Sequence, residues 1–560
     1  MIRFLKIPFH YSNYIIIFSI IALIYIPFYL YGDFGAGDDE YLIEISKNNN
    51  HNYKRIIDQY NHSTMISRPF SLITRSVLLS IFEDNAKYYF LMNIIVWVIS
   101  MVGFSLVLKN YVGDKSHIIF LLLSPFPIFC SSIISSSYLV IEYGIPVLLS
   151  SIFCVIMLFY TKTKNVIVYI LGYLCCFSAL LFSPIIYPLL MLGASLPIIN
   201  YFNHQYFKIS MGNFLLIIKY YLPLLIIFLI IIINKLYIVP EFTNGLIYSV
   251  NEINKISFIK YIYFIYVIIL EPLILIFKSI LFFSSLKFLI ILILLISTFY
   301  YLLFKLNYQN NLIKLKVINN NRSVNILYLY LTIILFISGL VFFISGQPSV
   351  TFGWYNRLLV PSFIIYCLII SNIICYFLKN NKILLPIIFS VLWINSMNIQ
   401  IGNFIETSAL RRIIYLDINN KIKVDTNSKA TIIASVPFYL EPNYNNEHIV
   451  YANEFFTSGF NNTTGKNYLI YPFSWRSEFD NNSYISFPKI PNYNKLNYSH
   501  LWFYRFDPST NISGEIFKIH NQLELLSHIN FIKSSNYNYH PPILREFLLN
   551  LFRHYGFVIV

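Results

Sequence analysis

Apolar runs of about 20 residues, separated by short polar stretches, recur along the first 400 positions of the chain and then stop. The first covers about 13–31. Later ones cover 86–108, 117–137, 143–160, 166–182, 184–200, 213–235, 286–304, 324–345, 359–378 and 383–401. A helix needs about 20 residues to cross the hydrocarbon core of a bilayer, so the pattern predicts an all-α polytopic membrane protein. One more apolar stretch, 259–283, holds Glu271 followed by Pro272. A charge inside a span is costly. Counting this stretch as a span would also reverse the side of the loop 305–322, which carries Lys305, Lys314, Lys316 and Arg322. It reads as re-entrant or interfacial, which leaves 11 spans; 12 result if one of 166–182 and 184–200 is misassigned instead.

Basic residues set the orientation. Lys109 and Lys115, then Lys162 and Lys164, then His204 and Lys208 occupy every second short connection. By the positive-inside rule these connections are cytoplasmic. The N-terminus is then inside, and both the acidic stretch 33–40 and everything beyond about 402 are outside. Arg3 and Lys6 precede the first run and no small-residue cleavage site follows it, so it reads as an uncleaved span rather than a signal peptide.

The pattern changes at 402. Residues 402–560 are polar, rich in Asn, Tyr and Pro, and hold no span. "FIETSALRRIIYLDINNKI" has helical periodicity, "ATIIASVPF" and "HLWFYRF" pattern like strands, and 441–498 reads mostly as loops. This predicts a small C-terminal α+β domain (402–560) resting on the outer face of a membrane domain (1–401). The first external loop, 32–85, has an order of its own. An acidic cluster "GDDEYLIE" leads to a polar link, then to "RPFSLITRSVLLSIF", which reads as an amphipathic helix lying in the interface plane with Arg75 on one face.

Composition narrows the function classes. The chain of 560 residues is 57% hydrophobic and only 12% charged, with mean hydropathy +0.62. Its net charge of +15 comes with no basic patch on a polar face, so nucleic-acid binding is excluded as the reading of that charge. The six cysteines all lie within apolar segments, and no disulfide framework is implied.

The loop 32–85 carries a resemblance. The acids Asp38, Asp39 and Glu40 just after the first span, followed by Arg68-Pro69 and a juxtamembrane helix, resemble the first external loop of the GT-C superfamily of membrane glycosyltransferases. Among bacterial members the size and layout are most similar to O-antigen and other surface-glycan glucosyltransferases. The resemblance covers about 1–400. It implies a polyprenyl-phosphate-linked sugar as donor, a glycan or lipid-linked glycan as acceptor, catalysis on the extracytoplasmic side of the bacterial inner membrane, and no metal or other cofactor. It also implies a second acid in the next external loop, where Glu142 in "SSSYLVIEYG" stands.

Such a transfer needs a base to take the proton of the acceptor hydroxyl, the role given to Asp38 or Asp39, with Glu40 beside them. The departing phosphate needs a cation, and the planar fork of arginine suits it. Arg68, Arg75 and Arg357 are the candidates. Trp354 and Tyr355, in "GQPSVTFGWYNRLLVP", could stack on a sugar. Each residue also has a plainer reading. The acids suit any solvated loop, Arg68 and Arg75 could anchor a helix to lipid phosphates, and Arg357 with Trp354 makes an ordinary aromatic-belt pair. Two other functions compete, a transporter or flippase of lipid-linked sugars and a glycan polymerase or ligase.

Overall fold

The computed structural model describes residues 9–32, 38–60, 69–128, 130–135, 143–204, 211–234, 258–281, 286–312, 321–345, 358–379, 382–422, 430–436, 457, 460–461, 463–464, 466, 468–474, 498–506 and 514–534. Among them, eight helices are long and apolar enough to cross a membrane: Ser12–Tyr31, Ala86–Tyr111, Ile145–Thr163, Pro184–Phe202, Met211–Ile233, Leu286–Phe304, Val360–Leu378 and Leu384–Lys421. Val166–Phe182 and Val324–Gly339 are shorter apolar helices. Many large apolar side chains on these helices point outward, including Phe18, Ile170, Leu174, Phe214, Ile230 and Leu294. So wide an apolar surface fits a lipid surround. The protein is a polytopic helical protein with a small sheet region.

In chain order the helices are α1 (Phe9–Tyr31), α2 (Asp38–Asn48), α3 (Tyr53–Tyr60), α4 (Pro69–Phe82), α5 (Ala86–Tyr111), α6 (Asp114–Leu123), α7 (Ser132–Ser135), α8 (Ile145–Thr163), α9 (Val166–Phe182), α10 (Tyr187–His204) and α11 (Met211–Ile233). There follow α12 (Phe258–Ile269), α13 (Glu271–Leu281), α14 (Leu286–Leu312), α15 (Asn321–Ser345), α16 (Val360–Lys379), α17 (Leu384–Lys421) and α18 (Gln522–Ser534). Local chemistry sets several boundaries. Asn85 caps α5 by accepting from the Lys87 N–H at 3.2 Å, and Asn165 caps α9 by accepting from the Ile167 N–H at 2.8 Å. Between α8 and α9, Lys164 takes the left-handed conformation at φ 54°, which turns the chain straight back.

The helices alternate in direction, as side-chain contacts at the two ends of the bundle establish. At one end Tyr14 meets His117 at 3.1 Å, the Tyr111 hydroxyl donates to Leu196 O at 2.9 Å, and the Tyr169 hydroxyl donates to Lys219 O at 2.8 Å. Tyr160 and Tyr169 pack there with ring centroids 5.3 Å apart. Lys109, Lys164 and Lys219 therefore share that end, in keeping with the alternation read from the loops. At the opposite end Phe28 packs on Phe90 at 4.4 Å and on Phe404 at 5.4 Å, and Phe70 meets Phe182 at 5.7 Å.

One expectation is corrected. The stretch 117–137 is not one continuous helix. It breaks after α6, because Pro125 and Pro127 cannot continue the helical hydrogen bonds. The stretch read as re-entrant or interfacial is, over 258–281, two short helices that are not among the eight candidate spans: α12 and α13, divided at Leu270, with α12 packed against α15 and α13 against α17. Glu271 and Pro272 open α13, a position where both residue types suit a helix start. Within 441–498, read as mostly loops, the described residues include one strand, β2 (Leu469–Ser474).

The helix α17 runs for 38 residues without interruption, through the change of composition at 402. Its last turns leave the bundle and form the floor of the sheet. That sheet comprises β1 (Thr431–Val436), β2, β3 (Leu501–Phe506) and β4 (Gly514–Lys518) in the order β2-β1-β3-β4. β1 pairs in parallel with β2 and β3, and β4 is antiparallel to β3. Ile414, Tyr415 and Ile418 of α17 pack with Ile432, Ala434, Ile470, Tyr504 and Phe506 in the core of this sheet. At Gly514 an added Cβ would lie 2.5 Å from Arg505 O and 2.6 Å from Tyr504 Cζ, so the β3–β4 crossing requires glycine there.

Candidate functional site

The end of the bundle that holds Phe28, Phe90 and Phe404 gathers most of the chemistry. α1 ends at Tyr31, and the Gly32 N–H bonds to Phe28 O at 2.8 Å. A Cβ on Gly32 would stand 2.5 Å from that oxygen and 3.1 Å from the Phe90 ring, so only glycine lets the chain leave α1 across Phe90. Asp38, Asp39 and Glu40 form the first turn of α2, where carboxylates suit the exposed N–H groups. Five residues lie between Gly32 and Asp38, which keeps the start of that turn within about 20 Å of Gly32.

α2, α3 and α4 fold together above this end. The Ser46 hydroxyl donates to Leu79 O at 3.2 Å and lies 2.9 Å from His51 Nδ1, and Lys47 pairs with Asp84 at 3.1 Å. α4 has two distinct faces. Phe70, Ile73 and Ile81 are exposed, whereas Ser71, Leu72, Arg75, Ser76, Leu78 and Leu79 are buried. The outer face is therefore apolar and the protein side mixes leucines with Ser71, Arg75 and Ser76, the reverse of a helix facing water. Arg75 is 2% exposed. The sequence places α4 in the interface plane, and its apolar outer face fits that. Arg75, however, does not reach outward to lipid phosphates, because it sits in the middle of the inward face.

Below this lies the interrupted segment between α6 and α7, where the helix gives way and its carbonyls lack helical partners. Side chains from three surrounding helices supply the donors. The Tyr25 hydroxyl donates to Pro125 O at 2.5 Å, and Trp97 Nε1 donates to Ser124 O at 3.0 Å. Trp393 Nε1 donates to Leu123 O and Phe126 O at 3.1 Å each, and Gln400 Nε2 donates to Ile128 O at 2.6 Å. Asn93 Nδ2 reaches Ile134 O at 3.3 Å. Non-helical backbone at this depth is tolerated only where protein or an enclosed cavity replaces the missing bonds.

The expected site residues divide accordingly. Asp38, Asp39 and Glu40 are placed by their backbone at the start of α2, with their side chains outside the described residues, and Arg75 is placed fully. Arg68, Glu142, Trp354, Tyr355 and Arg357 lie outside the described residues. Sequence reasoning passed over the inward polar residues of α17, namely the buried Gln400, Thr407 and Arg411 and the half-buried Asn403. Their signal was present in "NIQIGNFIETSALRR", where polar positions recur three and four apart and so share one helix face.

The chain matches no protein-family model, no curated protein and no solved structure. The functional reading therefore rests on the chain's own residues.

Proposed function

We propose that this protein is a membrane glycosyltransferase of GT-C type. It would move a sugar from a polyprenyl-phosphate donor to a glycan acceptor at the extracytoplasmic face of a bacterial plasma membrane. In this reading the Lys-bearing end of the bundle is cytoplasmic, 11 segments cross the bilayer, and the sheet region lies outside. Asp38 or Asp39 is the general base, and Arg75, with Arg68 and Arg357, steadies the phosphate. Glu40, Glu142, Trp354 and Tyr355 complete the substrate site.

The observation that carries this reading is the pairing of α2 and α4 at one end of the bundle. Acids open α2 directly after the first span, and α4 turns a buried arginine inward behind an apolar outer face. A donor whose phosphate sits at headgroup depth needs both groups at that level. The test is transfer of labelled hexose from polyprenyl-phosphate hexose to envelope glycan by the reconstituted protein. Asp38→Asn and Asp39→Asn should lower the rate of the base-dependent step by about 10²–10⁴-fold for whichever residue is the base. Full activity in both single variants and the double variant would rule out the acids.

A second reading, transport of a lipid-linked sugar, draws on the interrupted segment after α6, since broken helices near mid-depth line many transport paths. Vesicle assays that follow donor movement without bond cleavage separate the two.

A further inference from the structure

The inward face of α17 continues past the interrupted segment. Trp393, Ser396, Gln400, Asn403, Phe404, Thr407, Arg411 and Ile414 recur at intervals of three and four and share that face. Its lower part is anchored by Trp393 and by the Gln400 amide nitrogen on the carbonyls of Leu123, Phe126 and Ile128. Its upper part, from Ile414, enters the core of the sheet. Between the two anchors, Gln400 Oε1, Asn403 Nδ2 and Thr407 Oγ1 are all out of solvent and have no hydrogen-bond partner among the described residues. Gln400 is 2% exposed and Thr407 1%. Phe404, on the same face, packs against Phe28 and Phe90, which places this stretch at the end of the bundle where the chain turns toward Asp38.

Buried polar atoms are nearly always bonded in folded proteins, because an unmet donor or acceptor is costly. Three lie within two turns on one face of α17; Asn395 Oδ1 and Asn419 Oδ1 are also without a partner among the described residues but lie off that face, so the shared face marks a stripe. Its chemistry is mixed. Gln400 Nε2 is committed to Ile128 O, which leaves the amide oxygen as a pure acceptor. Asn403 Nδ2 is a donor, and the Thr407 hydroxyl both gives and takes. A phosphate offers acceptors alone and would leave Gln400 Oε1 unmet. The hydroxyls of a sugar ring both donate and accept, and they match all three. The stripe extends over about 10 Å of helix axis, enough for successive hydroxyls of a saccharide.

We infer that Gln400, Asn403 and Thr407 form a saccharide-binding stripe that holds the sugar of the lipid-linked donor through its hydroxyls. This rests on the glycosyltransferase reading above, and it assigns the sugar to α17 while the acids and Arg75 act on the bond to phosphate.

The experiment uses full-length protein in detergent micelles and native mass spectrometry. The probes are farnesyl phosphate, bare or bearing glucose, galactose, mannose or N-acetylglucosamine. Wild type should retain at least one glycosylated probe about tenfold better than bare farnesyl phosphate. Gln400→Leu, Asn403→Leu and Thr407→Val should each bring that ratio toward one while retention of the bare lipid phosphate persists. Thr407→Ser, which keeps the hydroxyl, should preserve the ratio. Thr407→Val should also melt at the same or a higher temperature, since it removes an unmet group; a clear fall would mean the hydroxyl is satisfied structurally and would overturn the inference. A sugar preference that survives all three replacements overturns the stripe alone. Retention of no lipid phosphate by wild type, bare or glycosylated, overturns both the donor reading and the stripe.

Discussion

The Tyr504 hydroxyl donates to Asp417 Oδ2 at 2.7 Å, and this bond fastens the sheet to the long helix that rises from the membrane bundle. Asp417 also accepts from the Gly514 N–H at 2.8 Å and pairs with Lys421 at 2.9 Å. Lys421 in turn donates to Gly514 O. One carboxylate at the end of α17 thus ties β3 and β4 to the helix. It does so at the turn where the Ile414–Ile418 face meets the sheet core.

Removing that carboxylate should loosen the sheet. Asp417→Ala leaves the Tyr504 hydroxyl and the Gly514 N–H without this acceptor, at about 1–3 kcal/mol for each group left unmet. Tyr504→Phe removes one donor and should cost about 1 kcal/mol. Hydrogen exchange in β3 and β4 should rise in both variants, more in Asp417→Ala, while the membrane helices stay protected. Burial first, then the bond to Asp417 and its charge, push Tyr504 well above its ordinary value of 10.0. The unfolded chain loses that proton from about pH 10 upward and the folded chain keeps it. The sheet is therefore fully stable below pH 10 and weakens above it, and Tyr504→Phe should flatten that decline.

An acid-side counterpart lies on the other face of the sheet. His528 of α18 packs against Phe517 at 4.4 Å and Phe503 at 5.2 Å. Burial, then the Arg505 charge, lowers its affinity for a proton below the ordinary 6.5, with Glu524 opposing. Below that pH the unfolded chain gains a proton that the folded one resists, so stability is present above about pH 6.5 and lost as pH falls further. His528→Phe should remove that part of the acid slope, and chemical denaturation followed at pH 5 and pH 7.5 measures it. An unchanged slope would mean His528 protonates freely in the fold.

Hydropathy makes spans legible because it measures how much apolar surface a segment carries. It cannot see a missing N–H. The run 117–137 is mostly apolar and holds no charged residue, so Pro125 and Pro127 were hidden by their own surroundings even though they decide where α6 ends. The change of composition at 402 was legible in the same way, but a helical backbone satisfies its own hydrogen bonds in water or lipid, so α17 continues to Lys421 regardless. The strand β2 was hidden by Pro472, which argues against a strand. It is tolerated because β2 is at the edge of the sheet, where a missing donor can face away from the ladder. The inward turn of Arg75 was illegible for a different reason. The pattern of α4 fixes two faces but not which one meets protein.

The interrupted segment offers a test that leaves side-chain volume nearly unchanged. Tyr25 is buried, and its hydroxyl serves Pro125 O, so Tyr25→Phe should cost about 1–3 kcal/mol in thermal unfolding of the detergent-solubilised protein. Tyr31, exposed at the end of the same helix, should tolerate the same change without loss. Trp97 serves the adjacent carbonyl of Ser124. A cycle of Tyr25→Phe and Trp97→Phe should therefore show a coupling of about 0.5–3 kcal/mol, and strict additivity would mean the two bonds do not hold one structure.

Arg75 separates the catalytic reading from the structural one. It lies at the centre of the buried face of α4, between Ser71 and Leu79 one turn on either side, at the end of the bundle where α2 begins with its acids. If its task is to fill that face with a positive charge, lysine should serve, since it keeps the charge and most of the stem. If it grips the phosphate of a lipid donor, lysine should fail, because a point charge cannot reproduce two parallel bonds from a planar fork. Losing one charge-assisted bond of about 1.5–3 kcal/mol corresponds to roughly a 10–100-fold change. The expected outcome for Arg75→Lys is a melting temperature within a few degrees of wild type and kcat/KM for lipid-linked donor lowered by about that factor. Arg75→Met should fall further. Should Arg75→Lys instead lose stability while donor use stays intact, the guanidinium belongs to the packing of α4, and the phosphate must be held elsewhere.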